Sequence, residues 1–163
     1  MRAHLTLPLA VTVALLLGLR TAQADQGHRH RHDHDEHMQT PAGGPGKPGK
    51  VTKVIAVRAL DTMRFEPSEF EVKSGQTVRF EVTNTGKVRH EFGIGTHDEQ
   101  AAHAEMMLAD PDMKHEDGSM ITIEPGETKQ LVWRFGKPGI YEAGCQIPGH
   151  YPAGMMARVV VSK

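Results

Sequence analysis

Apolar and polar residues alternate along most of the chain beyond residue 50. Phe70 and Val72 alternate with Glu69, Glu71 and Lys73, and Val78, Phe80 and Val82 with Arg79, Glu81 and Thr83. Leu131, Trp133 and Phe135 face one way, and Gln130, Val132 and Arg134 the other. A period of two is that of a strand with one face buried. Val54 to Leu60, Ile121 with Ile123, Ile140 to Gly144 and Ala157 to Val161 are further β-rich runs. Ser74-Gly75, Asn84-Thr85-Gly86, Pro125-Gly126 and Lys137-Pro138-Gly139 separate the runs as turns. Seven or eight short strands with regular turns predict an all-β chain folded as a β-sandwich.

One stretch departs from this period. Thr96-His97-Asp98-Glu99 is a capping box, and it predicts a short helix through Leu108 that stops before Asp110-Pro111. The helix and the polar loop after it hold His97, His103, Met106, Met107, Met113, His115 and Met120. Met106, Met107 and Leu108 could simply pack the helix on the sandwich, since methionine fills gaps well. The density of imidazoles and thioethers equally fits an auxiliary copper site, and these seven residues are its candidates.

The N-terminal third has no apolar periodicity of this kind. Residues 1–24 read as a secretory signal: Arg2 and His4 precede an apolar run from Leu5 to Leu19, and Ala22-Gln23-Ala24 is a cleavage signal. The run is too short for a stable membrane anchor. Residues 25–50 read as a disordered tail. It opens with His28, His30, His32, His34 and His37 among charged residues, a metal-binding composition, and continues as a Pro/Gly linker. The folded domain is expected over residues 51–163, and export is expected to place it in the periplasm.

Charge and cysteine content narrow the function. A formal net charge of −1 offers no basic excess for nucleic acid. The single cysteine, Cys145, permits no intrachain disulfide. A lone cysteine is ordinarily a small buried hydrophobe, and a nucleophile is the other option. Neither accounts for the C-x4-H-x4-M spacing of Cys145, His150 and Met155 in a Gly/Pro-rich loop. Thiolate, imidazole and thioether suit copper, and a mononuclear site of this kind wants a second histidine, for which His90 is the candidate. No Ser/His/Asp or acid-pair pattern stands out, so the chain is not expected to be an enzyme.

These motifs resemble the cupredoxins, the family of plastocyanin, azurin and pseudoazurin. Val88-Arg89-His90-Glu91-Phe92 is similar to the strand that supplies the first histidine ligand. Tyr141 to Cys145 resembles the strand leading into the copper cysteine. Pro148-Gly149-His150 and Gly154-Met155-Met156-Ala157 resemble the ligand loop. The resemblance spans roughly residues 51–163. It implies a Greek-key sandwich with one type 1 copper at one end, His90, Cys145 and His150 as equatorial ligands and Met155 as axial ligand. Met156 is the alternative axial ligand. The Cys-to-His spacing is like azurin's, and the His-to-Met spacing is one residue longer. Glu91 stands where many blue proteins carry Asn, so the hydrogen bond usual at that position is expected to change.

The signal, the His-rich tail and the His/Met insertion together resemble the periplasmic cupredoxins of bacterial copper tolerance, of the CopI type. That resemblance implies a monomer that binds copper for tolerance or homeostasis. Cu(I) oxidation or electron transfer would accompany binding, with a periplasmic redox partner or a copper-export system as partners. The alternative is a dedicated periplasmic electron carrier, which has no need of the tail. A copper nitrite reductase, whose loop is also similar, would need a second such domain for which the chain has no room.

Overall fold

The structure is a computed structural model and describes residues 40–116 and 118–163. The expected secretory signal and the five tail histidines lie outside the described residues. Ten strands form two five-stranded sheets. The first sheet contains β1 (Gly43–Pro45), β2 (Lys53–Leu60), β3 (Arg64–Glu66), β5 (Thr77–Asn84) and β8 (Thr128–Phe135), in the order β1-β8-β5-β2-β3. The second contains β4 (Glu69–Lys73), β6 (His90–Gly95), β7 (Met120–Ile123), β9 (Gly139–Gly144) and β10 (Met156–Ser162), in the order β4-β10-β9-β6-β7. β2 runs parallel to β5 and β4 parallel to β10, while the remaining pairs are antiparallel. The expected all-β sandwich with one short helix is the observed architecture.

The alternating residues meet between the sheets. Phe70, Val72, Val78, Phe80, Val82, Leu131, Trp133 and Phe135 are all buried there. Phe92 sits at the centre of an aromatic cluster, with ring centroids 5.2 Å from Phe65, 5.4 Å from Phe80 and 6.3 Å from Phe70. Edge-on and tilted rings at these separations add to what burial alone contributes.

The ordered domain begins earlier than composition suggests. The segment assigned to the tail as a Pro/Gly linker carries β1, which pairs with Trp133, Arg134 and Phe135 of β8. Ala42 is fully buried, and its carbonyl accepts from Trp133 Nε1 at 3.1 Å. Residues with no apolar alternation are held here by backbone pairing and by a Trp side chain that needs an acceptor. β3 also escapes the periodicity, being only three residues long.

β6 positions the site because it is buried on both faces; all six residues are buried. His90, Phe92 and Ile94 share one parity, and Phe92 and Ile94 belong to the core between the sheets. Glu91, Gly93 and Gly95 share the other parity. That face is covered by α1 (His97–Ala109) and by the loop leading to β7. Gly93 leaves the space that the Met120 side chain fills, and a β-carbon there would collide with it. Thr96 and Glu99 cap α1 reciprocally, at 2.7 and 3.2 Å, as the sequence predicts. Gln100, buried on α1, donates to the carbonyls of Gly93 at 2.9 Å and Glu142 at 3.3 Å. Among the described residues, no helix is long and apolar enough to cross a membrane.

Candidate metal centre

At one end of the sandwich the start of β6 meets the loop between β9 and β10. Asn84, fully buried, donates to the carbonyls of Val88 and Ile123 at 2.8 and 3.0 Å and accepts from Gly86 N–H at 2.9 Å. Asp61 accepts from the N–H groups of Lys87 and Val88. These contacts fix the approach to His90. The other loop is a chain of tight turns: His150 N–H to Ile147 O at 2.9 Å, Gly154 N–H to Tyr151 O at 2.8 Å, and Met155 N–H to His150 O at 3.1 Å. Cys145 N–H donates to Met155 O at 3.2 Å and closes the loop at its base. Arg64 donates to Ala153 O at 2.7 Å and braces the loop from β3.

Three donor atoms converge. His90 Nδ1 lies 3.3 Å from His150 Nδ1, and Cys145 Sγ lies 3.4 Å from His150 Nδ1. Such separations are expected of donors that each sit about 2.0–2.3 Å from a shared first-row metal. His90 and Cys145 are fully buried, while His150 is partly exposed and forms the solvent edge. Met155 is fully buried and Met156 only partly, so the two neighbours divide between inside and outside as the strand start requires.

The surroundings tune these donors. Burial lowers the His90 ring to about 4, helped by the neighbouring His150 and opposed by Asp61. Its Nε2 faces Asp61 Oδ1 at 3.7 Å, beyond hydrogen-bond reach, while Nδ1 lies toward the other donors. Burial likewise lowers His150. Burial pushes the Cys145 thiol up to about 12, against the N–H groups of Glu91 and Ile147 that favour the thiolate. Both rings are therefore neutral and ready to coordinate at pH 7, whereas the thiol keeps its proton until a cation displaces it. Glu91 N–H donates to Cys145 Sγ at 3.2 Å. The hydrogen bond expected to change with Glu91 is thus made by the backbone, whatever the side chain.

The seven insertion residues differ in burial and in neighbours. His103 and His115 come together, with ring centroids 4.7 Å apart. His97 is exposed and faces Glu142 at 3.5 Å. Met106 is half exposed, Met107 fully buried, and Met113 and Met120 intermediate. The residue between the two close histidines is Glu91, which the sequence pattern does not assign to this group: its Oε2 lies 3.5 Å from His103 Nε2 and its Oε1 lies 3.8 Å from His115 Nε2. The one signal for it in the sequence is a glutamate beside a buried ligand on a strand whose other neighbours are apolar or glycine.

Comparison with known proteins agrees with this geometry. Residues 51–162 match the family model of copper binding proteins, plastocyanin/azurin family. The copper-resistant cuproprotein CopI of Rubrivivax gelatinosus is 44% identical over 122 residues, covering 75% of this chain and 74% of that protein. The copper-resistant cuproprotein CopI of Vibrio cholerae is 39% identical over 118 residues, covering 72% and 70%. Auracyanin B shares the fold at 22% identity with a TM-score of 0.62, covering 76% of this chain and all of the other. The donors at the end of the sandwich are soft and borderline ligands that fit copper. The chain belongs to the plastocyanin/azurin family of copper-binding proteins, the cupredoxins.

Proposed function

We propose that this chain is a periplasmic copper-tolerance protein, exported by a cleaved signal, that holds one type 1 copper through His90, Cys145, His150 and Met155. The observation that carries the copper site is the convergence of His90 Nδ1, Cys145 Sγ and His150 Nδ1 at a buried end of the sandwich. When bound, copper supplies reversible one-electron chemistry, which suits handling Cu(I) as Cu(II). The protein's own groups hold that ion in place. Asp61 fixes the backbone before His90, the Glu91 N–H supports the thiolate, and the Cys145–Met155 backbone pair fixes the loop. Tolerance as the physiological role is supported by the names of the relatives in Rubrivivax gelatinosus and Vibrio cholerae and by the His-rich tail.

The test is a deletion strain grown across a copper series with and without oxygen. It should be copper-sensitive, should respire normally in ordinary medium, and should be rescued by the parent gene but not by Cys145→Ser. A second reading, a dedicated electron carrier, draws on the exposed edge of His150, which would let electrons reach a docked partner. It wins if the deletion strain tolerates copper like its parent but loses an electron-transport activity.

A further inference from the structure

We propose that Glu91, His103 and His115 form a second metal site, for Cu(II), back to back with the first; only the choice of ion rests on the copper reading above. Glu91 is fully buried on the outer face of β6. Among the described residues, neither of its carboxylate oxygens accepts a hydrogen bond, and the buried Nε2 atoms of His103 and His115 have no hydrogen-bond partner. Yet all three side chains aim at one another, at 3.5 and 3.8 Å, with their ligand atoms within 4.8 Å. Donors that approach without bonding are spaced as ligands of a common ion about 2.0–2.2 Å from each. A buried carboxylate without a hydrogen bond is costly, and a cation between the three groups satisfies them together.

Three elements hold this arrangement. His103 stands one turn after Gln100, whose bonds to Gly93 and Glu142 lock α1 onto the sheet. His115 is fixed at both backbone groups by Thr122: its N–H donates to Thr122 Oγ1 at 2.9 Å and its carbonyl accepts from Thr122 N–H at 3.1 Å. Thr122 is the β7 partner of Glu91. Both imidazoles keep a narrow solvent edge, 11% and 12% exposed, through which an ion can enter. Two imidazoles and a carboxylate, with no sulfur, favour Cu(II) over Cu(I), and copper heads the affinity order of divalent first-row metals. The two sites share β6: His90 and Glu91 are consecutive, and the Glu91 N–H rests on the Cys145 sulfur.

The experiment uses the full chain with His28, His30, His32, His34 and His37 replaced by alanine, which removes the tail as a competing ligand. It is loaded with Cu(II) and dialysed. Metal analysis should find two copper ions per chain, one with the visible sulfur-to-copper band and one colourless. The electron paramagnetic resonance signal of the colourless ion should couple to two imidazole nitrogens. Glu91→Gln, His103→Gln and His115→Gln should each weaken that ion by at least tenfold, and the two histidine variants should leave the visible band. One copper per chain, a second ion indifferent to all three substitutions, or a second ion coupled to fewer than two imidazoles in the parent overturns the proposal. The nitrogen coupling is read on the parent chain, so it stands even where a variant misfolds. Absence of the visible band from the parent strikes the type 1 reading instead and leaves the colourless ion to be judged on its own signal.

Discussion

Glu91 donates its backbone N–H to the Cys145 sulfur at 3.2 Å while its carboxylate faces His103 and His115. One residue of β6 therefore supports the thiolate with its main chain and a histidine pair with its side chain. Main chain and side chain are separable by mutation, because any residue but proline keeps the N–H.

Copper loading at the Cys145 site should release about one proton at pH 7, and that proton comes from Cys145. The thiol is raised to about 12 and His90 lowered to about 4, so between these values the thiol is protonated and that ring is neutral. The affinity followed by the visible band should rise about tenfold per pH unit from pH 7 to 9. No dependence in that range would mean a thiolate already formed. The metal-free protein should be most stable between about pH 6.5 and 9. Below 6.5 the unfolded chain gains a proton that folded His90 refuses down to about 4, and above about 9 the unfolded thiol ionises while the folded one does not. Chemical denaturation across pH checks the curve.

Gln100→Leu should destabilise the protein by about 1–3 kcal/mol, because it leaves Gly93 O, Glu142 O and Gln146 Nε2 without this partner in a buried place. Urea denaturation measures the loss. Hydrogen exchange should show α1 loosened first, since Gln100 is the polar anchor that ties the helix to β6 and β9.

Gly154→Ala should cost on the order of 1–3 kcal/mol and speed copper dissociation. Gly154 has φ +104°, a conformation that side chains resist, and an added β-carbon would strike the Arg64 guanidinium that holds Ala153 O. Gly149→Ala is the informative control. It shares a positive φ, +88°, but has open space around it, so it should carry the backbone strain without the loss of the brace.

The sandwich and the grouping of Cys145 and His150 with His90 were legible because most of their signals are local. Alternation marks Phe80 or Trp133 on a half-buried strand, and Cys145, His150 and Met155 lie in one loop of Pro and Gly turns. β1 was not legible, since Gly43, Gly44 and Pro45 have no pattern and are held by the backbone of β8. Glu91 was hidden by the same rule that revealed the strands. A charged residue at an alternate position reads as solvent-facing, but α1 and the loop after it cover that face of β6. The insertion histidines were visible as a group, whereas their sorting depended on tertiary placement: His103 and His115 turn toward Glu91, and His97 toward Glu142.

The copper centre itself is tested most simply by the visible spectrum of the Cu(II)-loaded full chain beside Cys145→Ser and Met155→Leu. A copper held by His90, Cys145 and His150 with a weak axial Met155 should give an intense sulfur-to-copper charge-transfer band. Cys145→Ser should abolish the band, and Met155→Leu should keep it while shifting its band ratio and the reduction potential. A colourless Cu(II) complex of the unaltered protein, or a band that survives Cys145→Ser, would overturn this ligand set.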